Sequence, residues 1–265
     1  MISHRSSLEQ LYKRVVIKVG SDVLSTDNGQ PKIEVFRNIV EQLLILKRRI
    51  KDIVLITSGA VPFGRAEFGR VKTKGETVAE KQKYASVGQP ILMEMYRQFF
   101  KDNACHVAQI LPTKNDIDSE ELLAVLDEIF AEEQDTIPIF NANDTVEIDE
   151  LKISDNDRLA GAVAKIIEAD ALVFATCVNG LLEDIDDPNS VVPVIEYGDT
   201  SKRELIVPSK SQNGTGGMGI KLDVGFEMQD QGRCVHILNG TEQSVLTRVL
   251  LYRERISTLF LPRSY

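Results

Sequence analysis

Short runs of Val, Ile and Leu alternate along the chain with longer stretches in which apolar residues recur every three or four positions. Several short runs are apolar at consecutive positions, which is typical of strands covered on both faces. The pattern predicts strands at Arg14–Val19, Asp52–Thr57, His106–Leu111, Ile137–Asn141, Ala171–Thr176, Cys234–Leu238 and Ser257–Leu261. It predicts helices at Ile33–Arg49, Ala79–Lys101, Glu120–Glu132, Asp155–Glu168, Met218–Gln231 and Glu242–Leu250. Because strand and helix take turns, we expect an α/β fold with a mainly parallel sheet and helices on both faces.

The segment Gly180–Gly198 interrupts this alternation. It contains the apolar run Val191–Ile195 and is either a hairpin or a loop excursion. The simplest interpretation of the aspartates that precede this run is a solvated turn, formed by Asp184, Asp186 and Asp187. No internal repeat, low-complexity tract or flexible linker divides the chain, so we expect residues 1–265 to form a single domain.

Composition and charge narrow the class of protein. At 265 residues and 43% hydrophobic content, the chain can bury a sizeable core. A formal net charge of -9 argues against a broad nucleic-acid surface, because such a surface needs clustered Lys and Arg. No apolar run reaches the length of a membrane span, and the first residues lack the apolar region of a signal peptide. The cysteines lie in apolar runs and are predicted to be buried thiols in a reducing, cytoplasmic compartment: Cys105, Cys177 and Cys234.

Small and polar residues gather where the predicted strands end. In open α/β sheets, ligands bind beyond the carboxyl ends of the strands. The relevant segments are Lys18-Val19-Gly20-Ser21, Thr57-Ser58-Gly59-Ala60, Asn141-Ala142-Asn143-Asp144 with the later Asp155-Asn156-Asp157, and Asn213-Gly214-Thr215-Gly216-Gly217-Met218-Gly219-Ile220-Lys221. We therefore place the candidate functional residues in these four segments.

Two of these segments carry candidate anion ligands. Lys18 ends an apolar strand, so its ammonium group either meets an anion or reaches out to water. The Gly-rich segment before Lys221 either presents backbone N–H groups to an anion at a helix N-terminus or forms a flexible loop with a helix cap. It has neither the Walker A spacing nor a strand-linked Gly-x-Gly-x-x-Gly pattern.

Ser58 and the acidic residues allow several functions. Ser58 is better placed to bind a ligand or to cap a helix than to act as a nucleophile, because the Gly-x-Ser-x-Gly pattern is absent. The candidate bases of a hydrolase do not fall in a polar loop at a strand end: His4, His106 and His236. The acidic residues Asp144, Asp155 and Asp157 are candidates to chelate Mg²⁺, bind an ammonium group or cap a helix.

Taken in order, these segments resemble the glutamate 5-kinase group of the amino-acid kinase family. The resemblance covers nearly the whole chain. It rests on Lys18–Gly20, on Ile56-Thr57-Ser58-Gly59-Ala60 with Gly64-Arg65, on Lys81-Gln82 through Ala85-Ser86-Val87-Gly88-Gln89, on Pro138-Ile139-Phe140-Asn141-Ala142-Asn143-Asp144, on Asp155-Asn156-Asp157, and on Gly214-Thr215-Gly216-Gly217-Met218. It implies a three-layer αβα sandwich, Mg²⁺ dependence, and transfer of the γ-phosphoryl group of ATP to glutamate as the first step towards proline.

The resemblance also implies a role for individual positions. Lys18 and Lys221 would flank the transferring phosphoryl group, and Asp157 would orient both. Glutamate would be held by Ser58, Gly59, Ala60, Asp144 and Asn156, in an N-terminal part of about residues 1–165. The nucleotide would be surrounded by Lys18, Thr176, Cys177, Thr215, Gly216, Gly217, Met218 and Lys221, mainly in a C-terminal part of about residues 166–265. No residue is predicted to bind a metal directly.

The sequence departs from the family pattern on the nucleotide side. Cys177 stands where an Asp usually follows the Thr, and Gly219-Ile220 replace a more polar pair. Long members carry a C-terminal RNA-modification-type (PUA) domain, so we expect this chain, which stops at Tyr265, to be a short form or a shortened chain. The family also implies a homo-oligomer and a functional link to a glutamyl-phosphate reductase.

Two alternatives remain open from the sequence. The first is a sister kinase that acts on acetylglutamate, aspartate, carbamate or a nucleoside monophosphate. The acidic side chains near Asn143 and Asn156 favour an acceptor with a free α-amino group, and few basic groups are available for an acceptor phosphate. The second alternative is a non-catalytic amino-acid sensor on the same fold. The presence of Lys18, Asp157 and Lys221 argues against it.

Overall fold

The computed structural model describes residues 12–132, 135–146, 156–206 and 217–263. Its centre is an eight-stranded sheet in the order β3-β4-β2-β1-β5-β7-β8-β6. The strands are β1 (Arg14–Val19), β2 (Asp52–Ile56), β3 (His106–Ile110), β4 (Thr136–Phe140), β5 (Ala171–Thr176), β6 (Val194–Ile195), β7 (Cys234–Asn239) and β8 (Thr258–Phe260). The six strands from β3 to β7 run parallel, and β8 is antiparallel to β7. The predicted α/β class with a mainly parallel sheet is confirmed.

Eight α-helices connect these strands within the described residues. They are α1 (Ser21–Leu24), α2 (Ile33–Lys47), α3 (Ala60–Glu67), α4 (Val78–Lys101), α5 (Glu120–Ala131), α6 (Asn156–Ile166), α7 (Met218–Asp230) and α8 (Val245–Leu250), and a 3₁₀ helix spans Thr200–Leu205. The six predicted helices are all present. The last begins later than predicted, because Ser244 has a left-handed φ of 58° and an Asn239 side chain caps the turn before it.

Two apolar cores lie on opposite faces of the sheet. Alternate residues of β1 divide between them: Val15, Ile17 and Val19 join the core that includes α2, α4 and α8. Val16 joins the core that includes α6 and α7. Side chains of a strand alternate between faces, so Lys18 shares the face of Val16. The strand pattern therefore directs Lys18 towards α6 and α7.

The segment after β5 leaves the sheet and returns as an edge strand. Leu182 and Val191 form an antiparallel bridge, so the excursion is a hairpin that ends in β6. Asp184, Asp186 and Asp187 are exposed, and two of their carboxylates accept backbone N–H groups, which confirms the solvated turn.

The prediction that all the cysteines are buried is wrong at one position. Cys105 and Cys234 are buried, but Cys177 is exposed. The reason is local: β5 ends at Thr176, so Cys177 lies just beyond the sheet. Burial raises the pKa of the Cys105 thiol to about 11.

Candidate active site

The candidate site lies at the carboxyl edge of β1, where the strand order changes direction. β1 lies between β2 and β5: the chain passes from β1 to β2 on one side of it, and later crosses from β4 to β5 on the other side. Ligands bind at such switch points in open α/β sheets. Lys18 is paired in register with Ile56 of β2 and Phe174 of β5, so it occupies this point.

A buried carboxylate joins two lysines here. Lys18 Nζ lies 2.6 Å from Oδ1 of Asp157, and Lys221 Nζ lies 2.6 Å from Oδ2. Asp157 is fully buried, at 0% exposure, while the lysines are 7% and 8% exposed. We call these three residues the charged triad. It brings together the three side chains that the sequence predicted to be catalytic.

The charged triad is electrostatically adapted to an anion. Burial acts to raise the pKa of Asp157, but the nearby ammonium groups of Lys18 and Lys221 outweigh it and hold the pKa below 3.8. Asp157 is therefore ionised at neutral pH, and two positive charges face one negative charge. The surplus of one positive charge in a poorly solvated position favours a phosphate or carboxylate nearby.

Close packing of α6 on α7 sets this geometry. Asp157 is in the first turn of α6, and Lys221 is the fourth residue of α7. Gly161, one turn further along α6, faces Val224, and a Cβ at position 161 would lie 2.7 Å from Val224 Cγ1. A side chain at Gly161 would push α6 away from α7, so this glycine helps to keep the carboxylate of Asp157 within reach of Lys221.

A network of neutral amides lies beside the charged triad. The backbone N–H of Ala142 donates to Asn156 Oδ1 over 3.0 Å, and Asn156 Nδ2 donates to Ser58 Oγ and to Asn141 Oδ1, both over 2.9 Å. Asn141 Nδ2 in turn donates to Gln89 Oε1 over 2.8 Å. We call Ser58, Gln89, Asn141 and Asn156 the amide network. It brings together Ser58 and Asn156, two of the residues to which the family resemblance assigned glutamate binding.

The chain turns sharply at Ser58. Gly59 has a φ of 119°, a conformation that favours glycine, and it is the N-cap residue that directly precedes Ala60, the first residue of α3. The preceding Thr57 is fully buried and bonds through its Oγ1 to the hydroxyl of Tyr96 over 2.9 Å. This hydrogen bond to Tyr96 fixes the position of Thr57, and the next residue, Ser58, is half-buried at the site.

Ser58 is not arranged as a hydrolytic nucleophile. Its partner is the amide of Asn156, which is not a base. His236 is buried in β7, bonds to Tyr12 and Ser257, and burial together with the charge of Arg253 lowers its pKa to about 3. Among the described contacts, no base lies beside Ser58, and ligand binding by this serine stays a prediction.

The loop after β4 carries Asp144. Asp144 is half-buried, three residues after Asn141, and its backbone N–H donates to Ala142 O over 2.8 Å. The next residue, Thr145, bonds to Ser86 of α4 over 3.3 Å. The structure therefore places Asp144 in the loop that contributes to the amide network. Asp155 lies outside the described residues.

The nucleotide-side residues are only partly described. The hydroxyl of Thr176 accepts a hydrogen bond from the backbone N–H of Val178 over 3.1 Å and donates one to the carbonyl oxygen of Val178 over 2.9 Å. It therefore stabilises the turn that follows β5. Cys177 is exposed beyond it. Gly217 and Met218 form the start of α7 and are half-buried, whereas Thr215 and Gly216 lie outside the described residues. Ile220 packs against the second core, which accounts for an apolar residue at this position.

The charged triad leaves little room for a protein-held metal. Among the described residues, no group of three or more His, Cys, Asp or Glu side chains could hold a metal ion. Both oxygens of Asp157 already face lysines. Mg²⁺ usually takes one or two carboxylates, substrate phosphates and water. The donor set therefore fits an ion carried by a bound nucleotide, not a dedicated metal cage.

Sequence reasoning missed two members of the amide network. Asn141 and Gln89 were recognised only as parts of longer motifs, without a role of their own. The available signal for Gln89 was its neighbour Gly88, because a glycine in the middle of a helix often marks a close approach of two backbones. A Cβ at Gly88 would overlap the carbonyl oxygen of Ala60.

Comparison with known proteins agrees with this geometry. The sequence pattern of the amino acid kinase family matches residues 13–239. The chain is 34% identical to the glutamate 5-kinase of Thermoanaerobacter sp. (strain X514) over 94% of its own length and 68% of the relative's. It is 33% identical to the glutamate 5-kinase of Pelobacter propionicus over 97% of its own length and 70% of the relative's. It is 31% identical to the glutamate 5-kinase of Bacteroides thetaiotaomicron over 96% of its own length and 72% of the relative's. The matched region includes Lys18, Asp157 and Lys221, and the chain belongs to the amino acid kinase family.

Proposed function

We propose that this protein transfers the γ-phosphoryl group of ATP to the γ-carboxylate of L-glutamate and forms γ-glutamyl phosphate and ADP. This is the first step of proline biosynthesis. The observation that carries the proposal is the charged triad at the switch point of the sheet, in a chain whose relatives are glutamate 5-kinases along nearly its whole length.

The reaction explains why the site needs no general base. A glutamate side chain with a pKa of about 4.3 is already ionised at neutral pH. One carboxylate oxygen attacks the γ-phosphorus and forms a new P–O bond, while the bond to the β-phosphate oxygen breaks and ADP leaves with that electron pair. No proton is transferred, so the absence of a histidine from the charged triad is consistent with the chemistry.

The task of the protein is to bring two anions together and to stabilise the charge that spreads over the phosphoryl oxygens. Lys18 and Lys221 approach from β1 and α7, two separate elements. Asp157 bridges the two ammonium groups and holds them in place. Because the groups are held before the reaction, little reorganisation is needed as charge develops in the transition state.

We propose that the amide network and Asp144 hold glutamate. Asn156 Nδ2 already donates to Ser58 Oγ, which leaves the serine hydroxyl hydrogen available to donate to a carboxylate. The N–H groups of Gly59 and Ala60 at the start of α3 offer further donors. Asp144 supplies a negative charge suited to the α-ammonium group, which favours glutamate over N-acetylglutamate.

The nucleotide is assigned to the other side of the charged triad. Lys221, Gly217 and Met218 at the start of α7 would meet its phosphates, together with Lys18, Thr215 and Gly216. Thr176 and Cys177 would line it from β5. Mg²⁺ would be held mainly by the phosphates and would neutralise part of their charge. In this assignment, about residues 1–165 serve glutamate and about residues 166–265 serve ATP.

The partners follow from the product. An acyl phosphate is labile in water, so a reductase that accepts γ-glutamyl phosphate is the expected next enzyme. A homo-oligomer in the cytoplasm stays a prediction from the family. Within the described residues, no helix combines the length and apolarity needed to cross a bilayer.

The proposal is tested by ATP-dependent formation of an acyl hydroxamate in the presence of hydroxylamine. Glutamate, N-acetylglutamate and aspartate are compared at equal concentrations. We expect product with glutamate and little with the other two, because one lacks the ammonium group and the other is one methylene shorter. Product from N-acetylglutamate or aspartate at the rate of glutamate would refute the substrate, and no product with any acceptor from a folded, ATP-binding protein would refute the activity.

A further inference from the structure

The amide network ends at a residue for which neither the sequence motifs nor the family relationship supplies a role. Gln89 lies on α4, 9% exposed, and is far along the chain from the residues it contacts. Its Oε1 accepts from Asn141 Nδ2, but among the described residues its Nε2 has no hydrogen-bond partner. A buried amide donor without a partner is rare and calls for an explanation.

The direction of every amide in the network follows from one fixed donor. A backbone N–H can only donate, so Ala142 N requires the oxygen of Asn156 to face it. Asn156 must then turn its NH₂ group towards Ser58 Oγ and Asn141 Oδ1. With its oxygen used in this way, Asn141 presents its NH₂ group to Gln89. Gln89 can satisfy this donor only with its oxygen, which leaves its own NH₂ group without an acceptor.

Gln89 also lies next to the point where α4 packs closely against the start of α3. A Cβ at the preceding residue, Gly88, would overlap the carbonyl oxygen of Ala60 and would meet the backbone nitrogen of Gly64 at 2.5 Å. The helix backbone is therefore fixed against the turn that carries Ser58. Gln89 projects from this fixed point to Asn141, so its acceptor oxygen has little freedom to move away.

We propose that Gln89 is a positioning residue for the carboxylate substrate. By accepting from Asn141, it holds the amides of Asn141 and Asn156 in the orientation that the backbone N–H of Ala142 requires. That orientation makes Ser58 Oγ an acceptor within the protein, and its hydroxyl hydrogen then points outward as a donor. In this orientation, the Nε2 group of Gln89 has no hydrogen-bond acceptor among the described residues. The proposal rests on the proposed function, because it assigns Ser58 to glutamate.

The test compares two buried glutamines that lie on different helices. Gln89→Met removes the acceptor without changing the volume much. Gln42→Met is the matched control, because Gln42 is 2% exposed and joins α2 to α8 away from the site. For Gln89→Met we expect the glutamate KM to rise about tenfold while kcat changes less than about threefold. For Gln42→Met we expect a lower Tm with an unchanged KM.

A double-mutant cycle tests whether Gln89 acts through Asn141. In an Asn141→Ala background, Gln89→Met should change the glutamate KM by less than about twofold, because the relay is already broken. A tenfold effect in both backgrounds would overturn the relay. An unchanged KM in Gln89→Met with a lower Tm would show a purely structural role. Gln89→Asn, whose amide is too short to reach Asn141, is a second variant with the same expected result.

A measurement that needs no activity separates this inference from the proposed function. In protein labelled with ¹⁵N-asparagine, the side-chain amides of Asn141 and Asn156 should exchange slowly with solvent in wild type and in Gln42→Met. They should exchange faster in Gln89→Met. Fast exchange in wild type would overturn the inference. Slow exchange that depends on Gln89, in a protein without glutamate kinase activity, would refute only the proposed function.

Discussion

Two neighbouring residues in the first turn of α6 belong to two polar regions with different physical roles. Asn156 belongs to the amide network, in which neutral groups are linked in a fixed direction. The next residue, Asp157, belongs to the charged triad, in which two cations share one anion. Neutral hydrogen bonds give direction and shape, whereas buried charges give long-range stabilisation. The comparison predicts that the amide network governs substrate binding and that the charged triad governs the transfer step.

The largest expected effect follows from removing a cation. Lys18→Ala or Lys221→Ala should lower kcat about 10³-fold, or about 4 kcal/mol of transition-state stabilisation, with little change in the glutamate KM. Steady-state kinetics at saturating ATP measures both quantities. Lys165→Ala, an exposed position on α6, is the control and should leave kcat unchanged. Nearly normal turnover in Lys18→Ala would contradict the role assigned to it.

The second effect is on stability. Asp157→Asn leaves two neighbouring ammonium groups without their carboxylate, so the free energy of unfolding should fall by about 3 kcal/mol. Urea unfolding measures this change at neutral pH. Asp230→Asn, an exposed carboxylate on α7, should change it by less than about 0.5 kcal/mol. Equal losses in the two variants would mean that the charged triad is not a stabilising unit.

The same variant gives a pH dependence with a definite sign. The pKa of Asp157 is lower in the folded protein than its ordinary value of 3.8. Its contribution to stability is therefore complete above about pH 3.8 and is lost as the pH falls through the lower folded value. The stability difference between wild type and Asp157→Asn should shrink in that window. The difference between wild type and Gln89→Met should not change with pH there, because the amides do not titrate.

The smallest effect is expected at Asp144. Asp144→Ala should raise the glutamate KM about tenfold, because the substrate ammonium group loses its counter-charge, while kcat stays the same. Asp118→Ala, an exposed carboxylate in the loop before α5, is the control and should leave the KM unchanged. A fall in turnover with an unchanged KM would show that Asp144 belongs functionally with the charged triad instead.

The sequence predicted most of the sheet because its strands are apolar on consecutive residues. The bounds of β1 and β5 agree with the prediction residue by residue, and Lys18 was expected at a strand end. The helix α3 was anticipated only at its start, because its eight residues include a proline and a glycine that obscure its periodicity. Cys177 was placed wrongly, since an apolar run does not show at which residue it leaves the sheet.

From the sequence, site residues could be predicted only where they belong to a motif of the family. The charged triad was identified from the resemblance to the family, and the structure brings the Nζ atom of each lysine within 2.6 Å of a carboxylate oxygen of Asp157. Gln89 could not be assigned, because its partner Asn141 lies 52 residues away and a polar residue on a helix is usually exposed. Hydrogen-bond direction depends on contacts between distant segments, which local periodicity does not encode.

The central claim is that the charged triad acts on transfer and the amide network on binding. Rapid-quench single-turnover experiments with saturating ATP and glutamate measure the transfer step alone, in wild type, Lys221→Ala and Ser58→Ala. We predict that the transfer rate falls about 10³-fold in Lys221→Ala and less than about tenfold in Ser58→Ala. Equal losses in the two variants at saturation, or an unchanged rate in Lys221→Ala, would contradict this division of roles.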